Sequence, residues 1–277
     1  MSVSAETRPG LAPPSFGWLT GYRELLSSLL RRELRARYKG SFLGIVWTLV
    51  FPLSMIAIYT LVFSVLWKAA NGIPHYPLFV LAGLTVWTTF QASLQYGSLS
   101  LVENGDLITK VWFPRELVPA AAVLAQAVTG LIMLAVLVPA AMIIVPSSAS
   151  TVALVVPIFA CLICLCLGFS WLLGTANVFF RDVGHLLAVV FLPWFFLTPV
   201  LYALEKLPAA MHHPALIHVM RYANPVTPYV EATRAVVLQD TVPGATLLVY
   251  VFVVGPAIAL LGLSVLQQYE DRFAVEL

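Results

Sequence analysis

The sequence predicts an all-α integral membrane protein with six transmembrane helices. Three observations carry this. Hydrophobic residues make up 60% of the 277-residue chain and charged residues 10%, with a mean hydropathy of +0.92. A soluble domain is nearer half apolar and a quarter charged. Six runs approach the roughly 20 apolar residues that span a bilayer: about Phe42–Trp67, Pro77–Ser100, Leu117–Val145, Thr151–Val178, His185–Ala203 and Gly244–Leu266. None of the six contains Asp, Glu, Lys or Arg. The basic residues are also sorted. With the N-terminus on the cytoplasmic side, eleven of the fifteen Lys and Arg fall on that side, and only Lys68, Lys206, Arg221 and Arg234 on the other. By the positive-inside rule both termini are then cytoplasmic.

Residues 1–20 read as a disordered or extended start. They lack the apolar run of a cleaved signal peptide, so none is expected. Residues 21–40 hold an amphipathic interface helix. Leu25, Leu26, Leu29, Leu30, Leu34 and Tyr38 recur at helical spacing, and Arg31, Arg32, Arg35, Arg37 and Lys39 occupy the rest. Such a helix lies in the headgroup layer with its cations near lipid phosphates. Residues 41–267 carry the six spans. The charge-free block Leu117–Phe180 is too long for one helix, and P-S-S-A-S at 146–150 divides it. Cys161, Cys164 and Cys166 sit inside an apolar run without a fourth ligand, so they read as small membrane-helix residues rather than zinc ligands.

The link Leu204–Pro243 differs from the other loops. It is apolar, holds five prolines, and carries His212, His213 and His218. Short re-entrant helices suit it, with protein or water satisfying the broken backbone. No carboxylate or Cys completes a metal set with these histidines, so no metal is expected. Residues 268–277 form a cytoplasmic tail.

The chemistry that is missing narrows the function. None of the four lysines follows a glycine, so the phosphate-binding G-x-x-x-x-G-K-[ST] loop is absent. H-E-x-x-H, G-x-S-x-G and G-x-G-x-x-G are absent too. Ion-coupled transporters carry ionisable groups inside the membrane, and these spans have none. No catalytic residue and no cofactor on this chain are expected. Uphill transport would need energy from a partner.

One segment has the form of a handle for such a partner. E-N-G-D-L-I-T-K-V-W-F-P-R-E-L-V-P, Glu103–Pro119, packs five charges between two apolar runs. Asn104 or Asp106 can cap a short helix from Leu107. Leu107, Ile108 and Val111 give it an apolar face, Phe113 adds bulk, and Pro114 ends it. An apolar face with a charged rim fits another protein's groove.

The chain resembles type-2 ABC transporter permeases of the polysaccharide-export group, the exporters of O-antigen, capsule, teichoic acid or galactan precursors. The likeness runs from about residue 20 to the end. It rests on R-R-E-L-R-A-R-Y-K-G-S-F-L-G-I-V-W-T-L-V-F-P-L (31–53), the segment 103–119, N-V-F-F-R-D-V-G-H-L (177–186) and N-P-V-T-P-Y-V-E-A-T-R (224–234), with Y-E-D-R-F-A-V-E-L (269–277) as a weaker match.

The resemblance implies six spans, an interfacial helix and two re-entrant helices between spans five and six. It also implies a second copy of the chain, a location in the bacterial inner membrane, and one separate nucleotide-binding subunit per copy that holds ATP and Mg. Segment 103–119 would be the coupling helix. Leu107, Ile108, Val111 and Phe113 would fill the ATPase groove, Asp106, Lys110 and Arg115 would pair at its rim, and Glu103 and Pro114 belong to the same coupling segment. Arg181 and Asp182 would lie near the same subunit. Arg31, Arg32, Arg35, Arg37 and Lys39 would meet lipid headgroups at the substrate entrance. A polyprenyl-linked glycan stacks on rings, and Tyr59, Trp87, Phe90, Tyr96, Trp194 and Phe195 could supply them. No nucleic acid partner is implied. Two alternatives remain open: export of a small drug or lipid by the same architecture, and a membrane enzyme using Asp182, Glu205 or Glu231.

Overall fold

The computed structural model describes residues 22–38, 46–66, 72–110, 113–207 and 213–276, and these are helical with no strand among them. Lys39, Val111 and the N-terminal stretch 1–20 lie outside the described residues. The elements in order are α1 (Arg23–Tyr38), α2 (Trp47–Thr60, continuing as a π turn Leu61–Leu66), α3 (Tyr76–Glu103), α4 (Gly105–Lys110), α5 (Leu117–Ile144), α6 (Val155–Phe179), α7 (Val183–Leu197), α8 (Pro214–Tyr222), α9 (Thr227–Leu238), α10 (Ala245–Tyr269) and α11 (Phe273–Glu276).

Four of the six apolar runs form helices long and apolar enough to cross a membrane: Tyr76–Glu103, Leu117–Ile144, Val152–Phe179 and Ala245–Arg272. At 1.5 Å per residue each reaches about 40 Å. The first and fifth runs give shorter apolar helices, Leu49–Phe63 and Val183–Leu197. The fifth run was expected to continue to Ala203. Its helix stops at Leu197, about 22 Å long, and the chain turns at Thr198–Leu201. The reason is tertiary: Arg234 of α9 donates to the carbonyls of Pro199 (2.5 Å) and Val200 (2.6 Å), which fixes that bend.

Helix α3 is the axis of the bundle. Its most apolar stretch is 78% buried, against 28–44% for the other three long helices, although its hydropathy is the lowest of the four. Small polar residues explain the inversion. Thr85 donates to Leu81 O (2.8 Å), Thr89 to Thr85 O (2.7 Å) and Ser100 to Gly97 O (2.8 Å). Hydroxyls satisfied by their own helix let neighbours approach without an unpaired polar group. Ser170 of α6 lies against Gly97 of α3 and donates to Ser93 O at 3.0 Å.

Helices α6 and α10 meet along a glycine seam. A Cβ added at Gly255 would lie 2.5 Å from Cys161 O and 2.6 Å from the Tyr229 hydroxyl. In the same seam Gly262 faces the backbone of Gly168, and Gly168 faces the backbone of Ile258 and Ala259. Close backbone approach through small residues is how helices associate where lipid removes the hydrophobic drive.

The divided block also follows its sequence. Pro146–Ser150 and Val152–Leu154 form two 3-10 turns between α5 and α6. Thr151 donates to Val236 O at 2.7 Å, which ties this turn to α9.

Candidate functional site

At the charged end of the bundle, α4 is held by its own chain. Glu103 closes α3, and the Asn104 side chain donates back to Ser100 O at 2.7 Å. Its amide oxygen accepts from Arg32 of α1. The backbone amides of Leu107 and Ile108 bond Asn104 O at 3.0 and 3.1 Å. Asn104 thus joins α3, α4 and α1. The helix starts at Gly105, ahead of the expected Leu107, and Asp106 does not cap it; Asp106 pairs with Lys110 at 3.2 Å.

Ile108 and Phe113, expected to fill a partner's groove, pack inside this chain. Ile108 is 3% and Phe113 6% exposed. Both belong to a core formed with Leu29 of α1, Leu117 of α5, Trp171 of α6, Leu263 and Leu266 of α10 and Phe273 of α11. Leu107 is half-buried on the same core. The physical cause is that α1 and α11, remote in sequence, cover the apolar face of α4. What α4 presents outward is polar: Glu103, Asp106, Thr109 and Lys110 are exposed. The Asp106–Lys110 side chains are 93% and 72% exposed, so their ion pair contributes little to stability and stays available to other charges.

The flanking groups pack into the same platform. Pro114 and Arg115 are half-buried, and the Arg115 guanidinium lies 5.9 Å from the Phe273 ring centroid. Glu116 is buried; its carbonyl accepts from Trp171 Nε1 at 3.1 Å and its carboxyl from Gln267 Nε2 at 3.4 Å. Burial pushes the Glu116 carboxyl above the usual carboxylate range and the Glu270 charge adds to this, while hydrogen bonds from its own backbone and Gln267 pull it back. Arg181 and Asp182, which precede α7, are exposed, and Arg181 donates to Glu276 O of α11 at 3.3 Å.

Along α1, Arg31, Arg32 and Arg35 are exposed. Arg37 is turned inward: it donates to Thr129 of α5 at 2.8 Å and its guanidinium lies 5.4 Å from the Tyr96 ring centroid.

The six predicted rings separate. Tyr59, Trp87, Phe90, Trp194 and Phe195 form one cluster across α2, α3 and α7. Trp87 meets Phe195 edge-on at 5.5 Å, Phe90 meets Trp194 at 5.2 Å, and Tyr59 stacks on Phe195 at 6.3 Å. Tyr96 is exposed and stands apart under Arg37. A groove of about 290 Å³ runs along the cluster, lined by Tyr59, Trp87 and Phe195 together with Phe51, Gln91 and Phe191. Phe90 is fully buried and Trp194 does not line the groove, so neither presents a ring face there. Sequence reasoning missed Phe191. Its signal was available: Phe191 and Phe195 are four apart on one helix, and residues at that spacing share a face.

Of the acidic residues weighed for catalysis, Glu205 and Glu231 meet at the opposite end of the bundle, both paired with Arg221, whereas Asp182 belongs to the charged end. They do not assemble into one site.

The pattern that defines the ABC-2 type transporter family matches residues 24–238. The chain is 30% identical over 257 residues to the O-antigen export system permease protein RfbA of Myxococcus xanthus, covering 91% of this chain and 95% of that protein. A protein of the same name from Klebsiella pneumoniae is 26% identical over 252 residues, covering 91% and 94%.

Proposed function

We propose a function on the ground that this chain belongs to the ABC-2 type transporter family. It is the transmembrane subunit of an ATP-driven exporter that moves a polysaccharide of the O-antigen type, carried on a polyprenyl lipid, across the bacterial inner membrane. The similarity to O-antigen export permeases over nearly the whole length supports the cargo class. ATP hydrolysis belongs to a separate subunit, and the missing phosphate-binding loop agrees with that division.

Two copies pair, and each docks one ATPase. The apolar helices α2 and α7 complete six spans with the four long ones, α8 and α9 are the re-entrant pair, and both termini are cytoplasmic. The division into a start at 1–20, an interface helix at 21–40, a transport domain at 41–267 and a tail at 268–277 belongs to the same reading. The observation that carries the mechanism is the construction of α4. Ile108 and Phe113 root it in a core shared with α1, α6, α10 and α11, while Asp106, Thr109 and Lys110 are exposed at its tip. A push on that tip moves the helices together, because a packed core transmits displacement rather than absorbing it.

The half-buried rings of Tyr59 and Phe195 along the groove offer the glycan stacking surface, with Trp87 buried behind them, and Arg31, Arg32, Arg35 and Lys39 meet the lipid phosphates. Depleting the chain in its source cells tests the function. The expected result is loss of the surface polysaccharide with lipid-linked polysaccharide accumulating on the cytoplasmic leaflet. An unchanged surface polysaccharide contradicts it.

A further inference from the structure

At the end of the bundle opposite α4 lies a cavity of about 650 Å³, walled by the bend after α7, by α8 and α9, and by the start of α10. Its size falls among small-molecule sites, roughly 300–1,000 Å³. Its chemistry is unusual for this chain. Two guanidiniums, Arg221 and Arg234, and two carboxylates, Glu205 and Glu231, line it together.

Arg234 is committed to the fold. It donates to Phe79 O (3.2 Å), Pro199 O (2.5 Å) and Val200 O (2.6 Å) and stacks 3.4 Å from the Phe79 ring centroid. Arg221 pairs with Glu205, and its Nε lies 2.7 Å from Glu231 Oε2, near in distance but off the hydrogen-bond line. The second Glu231 oxygen is buried and accepts no hydrogen bond from any described residue. A buried carboxylate oxygen calls for a donor. Tyr222, held between His218 (4.7 Å) and Tyr250 (5.6 Å), adds an oriented ring to the wall.

We propose that this cavity is a subsite for neutral, hydroxyl-rich sugar units of the exported glycan, held as they emerge from the transport path. It rests on the export function above and adds a place on this chain where the sugar is bound. The charges decide the ligand class. Two cations balance two anions; Arg221 is paired with both carboxylates and the Arg234 donors are taken up by backbone carbonyls, so a phosphate finds no free donor group. Sugar hydroxyls can donate to the Glu205 and Glu231 carboxylates that line the cavity, and the apolar face of a pyranose ring suits Tyr222.

Gly244 gives a clean test, because it lines the cavity and a Cβ there meets nothing within 4 Å. Gly244→Trp adds bulk at a wall position where a Cβ has open space, and Glu231→Gln removes the carboxylate while keeping its size. The purified transporter in lipid nanodiscs is titrated calorimetrically with lipid-free fragments of the source cell's own surface polysaccharide, released by mild acid. Wild type is expected to bind saturably, and each variant about tenfold or more weakly, as loss of a hydrogen bond to a charged group implies. Inorganic pyrophosphate should not compete. Unchanged binding in both variants, displacement by pyrophosphate, or a wild type that exports glycan yet binds no fragment overturns the subsite and leaves the export function standing. A wild type that neither binds nor exports overturns the function itself.

Discussion

Arg234 shows how one buried cation organises a turn that no local rule specifies. It holds three carbonyls from two other segments, and Gly83 leaves room for its guanidinium, since a Cβ there would lie 2.6 Å from Arg234 Nη2. Arg234→Ala strands those acceptors at about 1–3 kcal/mol each. The variant should therefore lose several degrees or more of thermal stability in detergent. Arg234→Lys should recover only part of it, because an ammonium cannot reproduce the planar fork. A Lys variant as stable as wild type would show that charge alone matters here.

Glu116 gives a pH prediction. Its folded carboxyl is raised above its unfolded value, chiefly by burial. The neutral form is favoured in the fold, so its contribution is fully present at low pH and is lost as pH rises through the raised value. Glu116→Gln should remove that decline and make the protein more heat-resistant than wild type at neutral pH. Thermal unfolding of both proteins from pH 4 to 8 checks this; parallel profiles would contradict it.

Among the elements, α4 divides what sequence can and cannot tell. Its existence, its polar rim and its position between two long helices were legible from Glu103–Pro119. The destination of its apolar face was not. Hydrophobic spacing says that Ile108 is covered, and it cannot say by what; Leu29 and Phe273, far away in the chain, proved to be the cover. Ile108→Ala should cost about 2–4 kcal/mol locally and loosen the stub. ATPase subunits should still co-purify while glycan-coupled transport falls. Loss of co-purification would instead give Ile108 a direct role in docking.

The rings tell a similar story. Six were named from the sequence and five cluster, yet only three line the groove, because which face of α3 turns inward is a tertiary fact. The seam between α6 and α10 was not foreseen at all. Gly255→Val should force the helices apart and sharply reduce the yield of folded protein, whereas Gly244→Ala should be neutral. Fluorescence-detected size-exclusion profiles separate the two.

For the molecule as a whole, composition alone established a membrane protein. Apolar runs predicted six spans, of which four are long helices and two are shorter. Run length reports hydrophobicity, and helix length also depends on whether something distant, such as Arg234, captures the backbone. The cargo class was legible only through resemblance, because none of the motifs read from the residues alone specifies a ligand.

The tagged chain should be purified from its native membrane and assayed for a bound ATPase, alongside a Thr109→Glu, Lys110→Glu variant altered on the exposed face of α4. Wild type should bring down a soluble nucleotide-binding subunit with ATPase activity, and the variant should lose it while eluting as an equally stable membrane protein. A wild type that carries no ATPase, or a folded variant that retains it in full, would contradict the assignment of α4 as the point where ATP hydrolysis drives this permease.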